Sequence, residues 1–170
     1  MSINSKAKYR RQVLALNDSE LEAFVREWVG CKKSIYEEVT SFGGSGDLGR
    51  DVVGFLSKEK HEGGWHNYQC KQYKTSLPTD KSLLEIGKIL YYAHQGEFTA
   101  PEKYIFVAPK GANRNLESLV FNPSKLKKIL VQEWDKYCGL NGIIANKHIV
   151  LTDELRNFIT TVRLKNSKML

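Results

Sequence analysis

The sequence predicts a mixed α/β domain in which helices pack on a small central β-sheet. Apolar residues recur at helical spacing in several segments, short β-type runs stand between them, and the order is helix, strands, helix, strand, helices. The 170 residues suit one domain, and 41% apolar with 26% charged residues is ordinary for globular proteins. We therefore assign residues 1–170 to a single domain with its core between about residue 12 and residue 164.

The first predicted helix begins around Asn17, Asp18 and Ser19, which are residue types that favour helix N-caps. A stripe of apolar residues at helical spacing follows and is expected to face the core; it consists of Leu21, Phe24, Val25, Trp28 and Val29. A glycine-rich stretch at residues 43–49 then predicts a loop or tight turn.

Two strands are predicted next, at residues 50–56 and 66–73. The segment between them, residues 57–64, is polar and contains glycine, which indicates a hairpin. A second helix follows, capped at Thr79 and Asp80. The continuous apolar run at residues 104–108 is typical of a buried strand that lies parallel to a neighbour reached through the preceding helix.

Two further helices complete the predicted order. Asn122 and Pro123 mark the start of one, because proline is favoured at the first helical position. Thr152 caps the last helix, whose apolar residues repeat at intervals of three and four.

Several protein classes are excluded by composition. No apolar run approaches the roughly 18 residues of a membrane span. The basic, polar N-terminus is followed by no apolar segment of a secretory signal, so we expect a cytoplasmic protein without membrane association. The three cysteines, Cys31, Cys70 and Cys138, are too far apart for a zinc pattern or a disulfide framework.

The charge balance favours a polyanionic partner. The chain has 26 Lys and Arg against 19 Asp and Glu, a net charge of +7. Such a surface attracts nucleic acid, although a basic surface that is merely solvated has the same composition.

The residues with chemical potential lie in two short segments, 46–54 and 67–73. Residues two apart in a strand share a face, so Gln69 lies with Lys71, and the hairpin brings both near Asp51. A carboxylate and an amide oxygen are ligands that Mg²⁺ accepts, and a lysine can stabilise charge on a phosphate. The alternative is an ordinary exposed strand face next to a turn aspartate.

This spacing resembles the Mrr-like branch of the PD-(D/E)xK restriction-endonuclease superfamily. Residues 47–51, Asp-Leu-Gly-Arg-Asp, and residues 69–71, Gln-Cys-Lys, carry the resemblance. A longer pattern from residue 24 to residue 138, including segments 85–88 and 106–111, is similar to nuclease domains at the N-termini of bacterial anti-phage proteins. These include effectors associated with cyclic-oligonucleotide signalling and proteins of ABC three-component systems.

The resemblance implies a restriction-endonuclease-like fold and a Mg²⁺- or Mn²⁺-dependent endonuclease acting on double-stranded DNA in anti-phage defence. It gives Asp51 a metal-binding role, Gln69 the variable ligand position and Lys71 the role of catalytic lysine. The neutral Gln69 stands where the superfamily usually has a carboxylate, so another acid is expected to complete the site. Two alternatives stay open: a catalytically silent DNA-binding or assembly module of the same fold, and a ribonuclease with the same metal site.

Glu22 is the acid that we expect to complete the metal site. It lies at the margin of the apolar stripe of the first helix, from which it can turn toward the sheet. The competing interpretation is a capping box between Ser19 and Glu22, which would engage the glutamate locally. Glu37 and Glu38 are weaker candidates.

Several residues beside the motifs also have expected roles. Arg50, Lys74 and Tyr73 are expected to contact DNA, with solvation or core packing as the alternative. Asp47 is expected to brace the glycine-rich loop, with a part in a second metal site as the less favoured alternative. Glu85 is expected to pair with Lys88 along its own helix, with a position near the site as the less favoured alternative.

The resembling domains usually precede a sensor or ATPase region, so such a region or subunit is an expected partner. The sequence leaves open whether a second copy pairs with the first for double-strand cuts.

Overall fold

The computed structural model describes residues 3–44, 46–164 and 168–169. Its helices are α1 (Ile3–Ala15), α2 (Asp18–Gly30), α3 (Thr79–His94), α4 (Arg114–Val120), α5 (Pro123–Gln132) and α6 (Asp153–Thr161), with a 3₁₀ turn at Lys60–Glu62 and a π-helical turn at Asp135–Gly139. Its strands are β1 (Glu38–Ser41), β2 (Val52–Phe55), β3 (Trp65–Cys70), β4 (Lys103–Val107) and β5 (Lys168–Met169).

The strands form one mixed sheet in the order β1-β2-β3-β4-β5. The first three strands are antiparallel, β4 lies parallel to β3, and the two-residue β5 lies parallel to β4. The chain crosses from β3 to β4 through α3, because parallel neighbours require a long connection. The predicted mixed α/β class, the hairpin and the parallel strand are confirmed.

The two faces of the sheet are covered by different helices. Helix α2 packs on one face, where Leu21, Val25 and Val29 contact an apolar cluster that includes Val52 and Tyr68. Helix α3 and the C-terminal helices pack on the other face, around a larger cluster built from alternating strand residues such as Val53, Phe55, Tyr104 and Phe106. Alternate residues of each strand therefore point toward different helices.

The buried face of α2 is narrower than the sequence predicts. Phe24 and Trp28 were expected in the buried stripe, but they are 43% and 37% exposed. The buried residues of α2 are spaced by four, and this stripe is sufficient to cover the small sheet. The apolar residues to one side of the stripe therefore remain at the surface.

Helices α1 and α4 and strand β1 are elements that the sequence did not predict. Helix α1 contains few apolar residues, and β1 has only four residues, so neither presents a strong periodic pattern. Strands β2 and β3 are shorter than predicted, because the chain leaves the ladder at Asp51 and beyond Cys70. No helix within the described residues is long and apolar enough to cross a lipid bilayer.

Candidate active site

The register of β2 and β3 brings the two sequence motifs together. Val52 pairs with Tyr68 in the antiparallel ladder, so Asp51 lies beside the end of β3 where Gln69, Cys70 and Lys71 follow. The Asp51 carboxylate accepts a hydrogen bond from the Cys70 backbone N–H at 2.8 Å. This contact fixes the carboxylate between the two strands, as the hairpin prediction required.

Asp51 is a buried carboxyl group, 5% exposed. Burial raises its pKa to about 7, with smaller raising contributions from the charges of Glu22 and Glu85. The charge of Lys71 and the Cys70 hydrogen bond act in the opposite direction but do not offset the burial. A carboxylate that is poorly solvated and surrounded by other acids is one that a cation would stabilise.

Lys71 is held by an ion pair with a residue of α3. Its ammonium lies 2.7 Å from Oε1 of Glu85, and both side chains retain about a fifth of their exposure (21% and 19%). Burial alone would lower the pKa of Lys71, but the charges of Glu85 and Asp51 raise it above the ordinary value. Lys71 is therefore a protonated ammonium next to Asp51, still accessible from solvent.

Glu85 lies at this site, which the sequence offered only as the less favoured alternative. It was expected to pair with Lys88 along α3, but Glu85 binds Lys71 and Lys88 binds Asp47 at 2.8 Å. A helical spacing of three is compatible with both arrangements, so the sequence carried no signal that separates them.

Glu22 approaches the same place from α2. The capping box of this helix uses Asn17 and Glu20 rather than Ser19 and Glu22, so the competing role predicted for Glu22 is wrong. Partial burial raises the pKa of Glu22, against the lowering effect of Lys71. Glu22 is thus close enough to interact with the charges of Asp51 and Lys71.

Glu37 and Glu38 do not join this group. Both are exposed, and Glu38 lies on β1, where its carboxylate forms an exposed ion pair with Lys60 at 3.0 Å.

Gln69 does not fit the role of a metal ligand. Its side chain is 1% exposed, and Oε1 accepts hydrogen bonds from the Tyr104 hydroxyl at 2.9 Å and from Asn67 Nδ2 at 3.3 Å. These two donors occupy both lone pairs of the amide oxygen. The expected ligand role is therefore corrected: Gln69 ties β3 to β4 beneath the site.

Arg50 does not fit the role of a phosphate contact. The residue is 8% exposed, and its guanidinium lies 4.2 Å and 4.7 Å from the ring centroids of Phe42 and Phe98. It also donates hydrogen bonds to the Asp47 backbone carbonyl and lies 2.9 Å from His61 Nε2. Burial and the nearby Arg50 lower the pKa of His61 to about 4, so the imidazole accepts this hydrogen bond as a neutral ring. Arg50 is a buried cation that anchors the loop before β2.

Asp47 has the predicted bracing role. Its carboxylate accepts hydrogen bonds from the Gly49 backbone N–H and from Lys88, both at 2.8 Å. Gly49 has a φ of +90°, a left-handed conformation that side chains other than glycine rarely adopt. The loop thus delivers Asp51 to the sheet through a turn that requires glycine.

The chain beyond Lys71 runs along the surface and back to the N-terminal helices. Tyr73 is half-buried against the larger core, whereas Lys74 is exposed. Gln72 is anchored: its Nε2 donates hydrogen bonds to the backbone carbonyls of Val13, Leu14 and Leu16 at 2.8 to 3.2 Å. Lys74 is therefore the DNA-contact candidate with the most accessible charge.

The donor set fits a magnesium ion that keeps several waters. Among residues 3–44, 46–164 and 168–169, no three His, Cys, Asp or Glu side chains are grouped closely enough to hold a metal. Mg²⁺, however, is usually bound by one or two carboxylates, with water and substrate phosphate filling the other positions. Asp51 and Glu22, both with raised pKa values, are the two carboxylates that such an ion would stabilise.

Comparison with protein-family models, with curated proteins and with solved structures finds no match to this chain. The functional argument therefore rests on the site itself and on the resemblance of its motifs.

Proposed function

We propose that this chain is a Mg²⁺-dependent endonuclease domain that hydrolyses phosphodiester bonds of DNA. The observation that carries the proposal is the proximity of Asp51, Lys71 and Glu22 near the end of β3, where the charges of Lys71 and Glu22 both act on the Asp51 carboxyl. A desolvated carboxylate beside an accessible ammonium is typical of sites that bind a cation and a phosphate together. The resemblance of the motifs supports the same function and adds the expectation that cleavage serves anti-phage defence.

Asp51 and Glu22 are the residues that would hold the metal. A bound Mg²⁺ lowers the pKa of water and neutralises charge on the scissile phosphate. Asp51 is suited to this role because the Cys70 N–H occupies only one of its oxygens, Oδ2. Metal binding would also offset the charge of Glu22, which raises the pKa of Asp51.

Lys71 would contact the phosphate. Its pKa is raised above the ordinary lysine value, so at neutral pH Lys71 is a hydrogen-bond donor and not a base that takes a proton from water. Its ammonium can orient an attacking water and stabilise the negative charge that develops on the phosphate oxygens. Glu85 limits the positions that the lysine can take, which prepares it for this contact.

DNA is favoured as the substrate by the net charge of +7 and by the motif resemblance. The engagement of Gln69 by Tyr104 and Asn67 favours a second candidate function, a module that binds DNA without cutting it. This alternative follows because Gln69 holds the variable ligand position of the resembling nucleases, and its amide oxygen already accepts two hydrogen bonds.

Plasmid nicking, measured with DNA affinity, tests the proposal and separates the two functions. We expect nicking in Mg²⁺ or Mn²⁺, none in excess chelator, and a loss of about 10²- to 10³-fold in Lys71→Ala with a much smaller loss of affinity. Lys128→Ala, an exposed lysine on α5, is the matched control and should cut normally. Binding without nicking under any divalent metal would establish the silent module, and nicking by Lys71→Ala at the parent rate would remove the proposed site.

A further inference from the structure

A pocket lies on the face of the sheet that α2 covers, beside β3 and β4. It has a volume of about 240 Å³, and its lining includes four rings and two isoleucine side chains, Ile35 and Ile105. Trp28 and Tyr68 meet edge to face with centroids 6.3 Å apart, and Tyr36 meets His66 in the same way at 5.4 Å. The pocket is separate from the candidate active site, because Tyr68 and Lys71 lie on opposite faces of the sheet.

The floor of this pocket is a buried hydrogen-bonded group. The Tyr36 hydroxyl lies 2.7 Å from His66 Nδ1 and 2.6 Å from the Tyr68 hydroxyl. Burial, followed by the hydrogen bond with Tyr68, raises the pKa of Tyr36, so the phenol stays neutral. The floor therefore offers polar atoms without negative charge.

The position of Tyr36 depends on a glycine in β2. A Cβ placed on Gly54 would lie 2.5 Å from the Tyr36 ring, which no real contact permits. Glycine is unfavourable in a strand interior because it packs poorly and loses more conformational entropy. At this position, however, the absence of a side chain leaves room for the Tyr36 ring against the backbone of β2.

The walls of the pocket carry positive charge. The ammonium of Lys32 lies 4.4 Å from the centroid of the Trp28 ring, and Lys103, which pairs with His66 in the sheet, also lines the pocket. None of the described residues that line the pocket is acidic. This lining favours a ligand that bears a negative charge and presents a flat apolar surface to the rings.

We propose that this pocket binds a small planar aromatic ring that carries an anionic group. The ring packs against Trp28 and Tyr68, and the anion pairs with Lys32 and Lys103. Nucleotides and free aromatic carboxylates share this chemistry, and the volume holds one ring with its charged group. The site goes beyond the proposed nuclease function and does not require it.

Tryptophan fluorescence tests the proposal on the full chain. Trp28 is 37% exposed, whereas Trp65 and Trp134 are almost fully buried, so a ligand in the pocket perturbs mainly Trp28. Four probes separate the contributions: dAMP and 4-hydroxybenzoate carry both ring and charge, deoxyadenosine carries the ring, and inorganic phosphate carries the charge. Measurements in excess chelator keep the candidate metal site out of the signal.

We expect a saturable change with dAMP, with 4-hydroxybenzoate or with both, and the responding probe identifies the source of the ligand. Deoxyadenosine and phosphate should each bind the parent protein at least about tenfold more weakly than the responding probe does. The responding probe should bind Lys103→Gln and Lys32→Gln at least about tenfold more weakly than it binds the parent protein. Lys128→Gln is the matched control and should bind normally. Saturation by neither charged ring, equal binding of phosphate alone, or full binding to both lysine variants would overturn the proposal.

Discussion

The Lys71 ammonium and the Glu85 carboxylate form an ion pair of 2.7 Å that joins the end of β3 to the second turn of α3. Glu85 counteracts the burial that would otherwise lower the pKa of Lys71. The pair therefore fixes both the place and the charge of the proposed catalytic lysine.

Replacement of Glu85 by glutamine should lower the rate of DNA cleavage by roughly ten- to a hundredfold, because the lysine loses its positioning contact. The burial of Lys71 is then opposed only by Asp51 and, more weakly, by Tyr73, so the pKa of Lys71 falls. On the alkaline side of the pH profile, the rate of DNA cleavage should therefore begin to fall at a lower pH than in the parent protein. A pH–rate profile of Glu85→Gln against the parent protein measures this shift.

Glu85→Asp serves as the conservative comparison, since it keeps the charge and should restore part of the rate and of the alkaline limb. A variant Glu85→Gln with a lower rate but an unchanged pH profile would assign Glu85 a structural role only.

Asp51→Asn should stabilise the fold at neutral and alkaline pH. The folded-state pKa of about 7 lies above the ordinary value of 3.8, so the native state keeps a proton that the unfolded state releases. The free energy of unfolding of the parent protein should therefore fall as pH rises from about 4 to 7, by up to about 4 kcal/mol at 1.36 kcal/mol per pKa unit. Asparagine retains the acceptor for the Cys70 N–H and lacks this dependence.

Denaturant unfolding of both proteins at pH 4.5 and pH 8 measures the difference. The stability gap between Asp51→Asn and the parent should widen toward pH 8, and a gap that stays constant would show that the Asp51 carboxyl titrates normally.

Mg²⁺ should raise the melting temperature of the parent protein at pH 8, because an ion that binds only the folded state stabilises it. At tenfold excess over its dissociation constant the expected gain is about 1.4 kcal/mol. The gain should shrink at pH 6, where protons compete for Asp51. Asp51→Asn and Glu22→Gln should lose it, and an equal gain in both variants would place the ion elsewhere.

Substitution of Arg50 should affect mainly the stability of the fold, whereas substitution of Lys74 should affect mainly the affinity for DNA. Arg50→Leu leaves the Asp47 carbonyl and His61 without their donor and removes the contacts with two phenylalanine rings, so we expect a loss of about 2–4 kcal/mol in stability. Lys74→Ala should change stability by less than about 0.5 kcal/mol.

DNA affinity should show the reverse order once folding is accounted for. Lys74→Ala should weaken binding and reduce the dependence of affinity on salt by about one ion. A fully stable Arg50→Leu with weakened DNA binding would instead return Arg50 to the role of a phosphate contact.

Much of the fold could be read from the sequence because its signals are local. Asn122 before Pro123 and Thr152 at its N-cap each mark a helix start that the structure shows, and the hairpin of β2 and β3 follows from two β-type runs around a polar turn. The predicted burial of Phe24 and Trp28 is wrong. Helical spacing identifies the apolar side of a helix, but it does not give the width of the sheet surface that covers that side.

The candidate site was predictable in position but not in detail. The meeting of Asp51 and Lys71 follows from strand alternation and a short hairpin. The contacts of Gln69 and Arg50 depend on Tyr104 and on Phe98, which are distant in sequence, so nothing local distinguishes a ligand from a buried polar group. The same holds for Glu85, whose partner lies on another element.

The anchoring of Gln72 has a mechanical consequence. Its side chain grips the end of α1 through three carbonyls, and its backbone N–H donates to Asp18 at the start of α2. Lys71 is the preceding residue, and Glu22 lies one turn further along α2. Force applied to α1 is thus transmitted through the hydrogen bonds of Gln72 to the adjacent Lys71 and to the start of α2. Displacement of α1 by a bound protein would therefore change the spacing between Lys71 and Glu22.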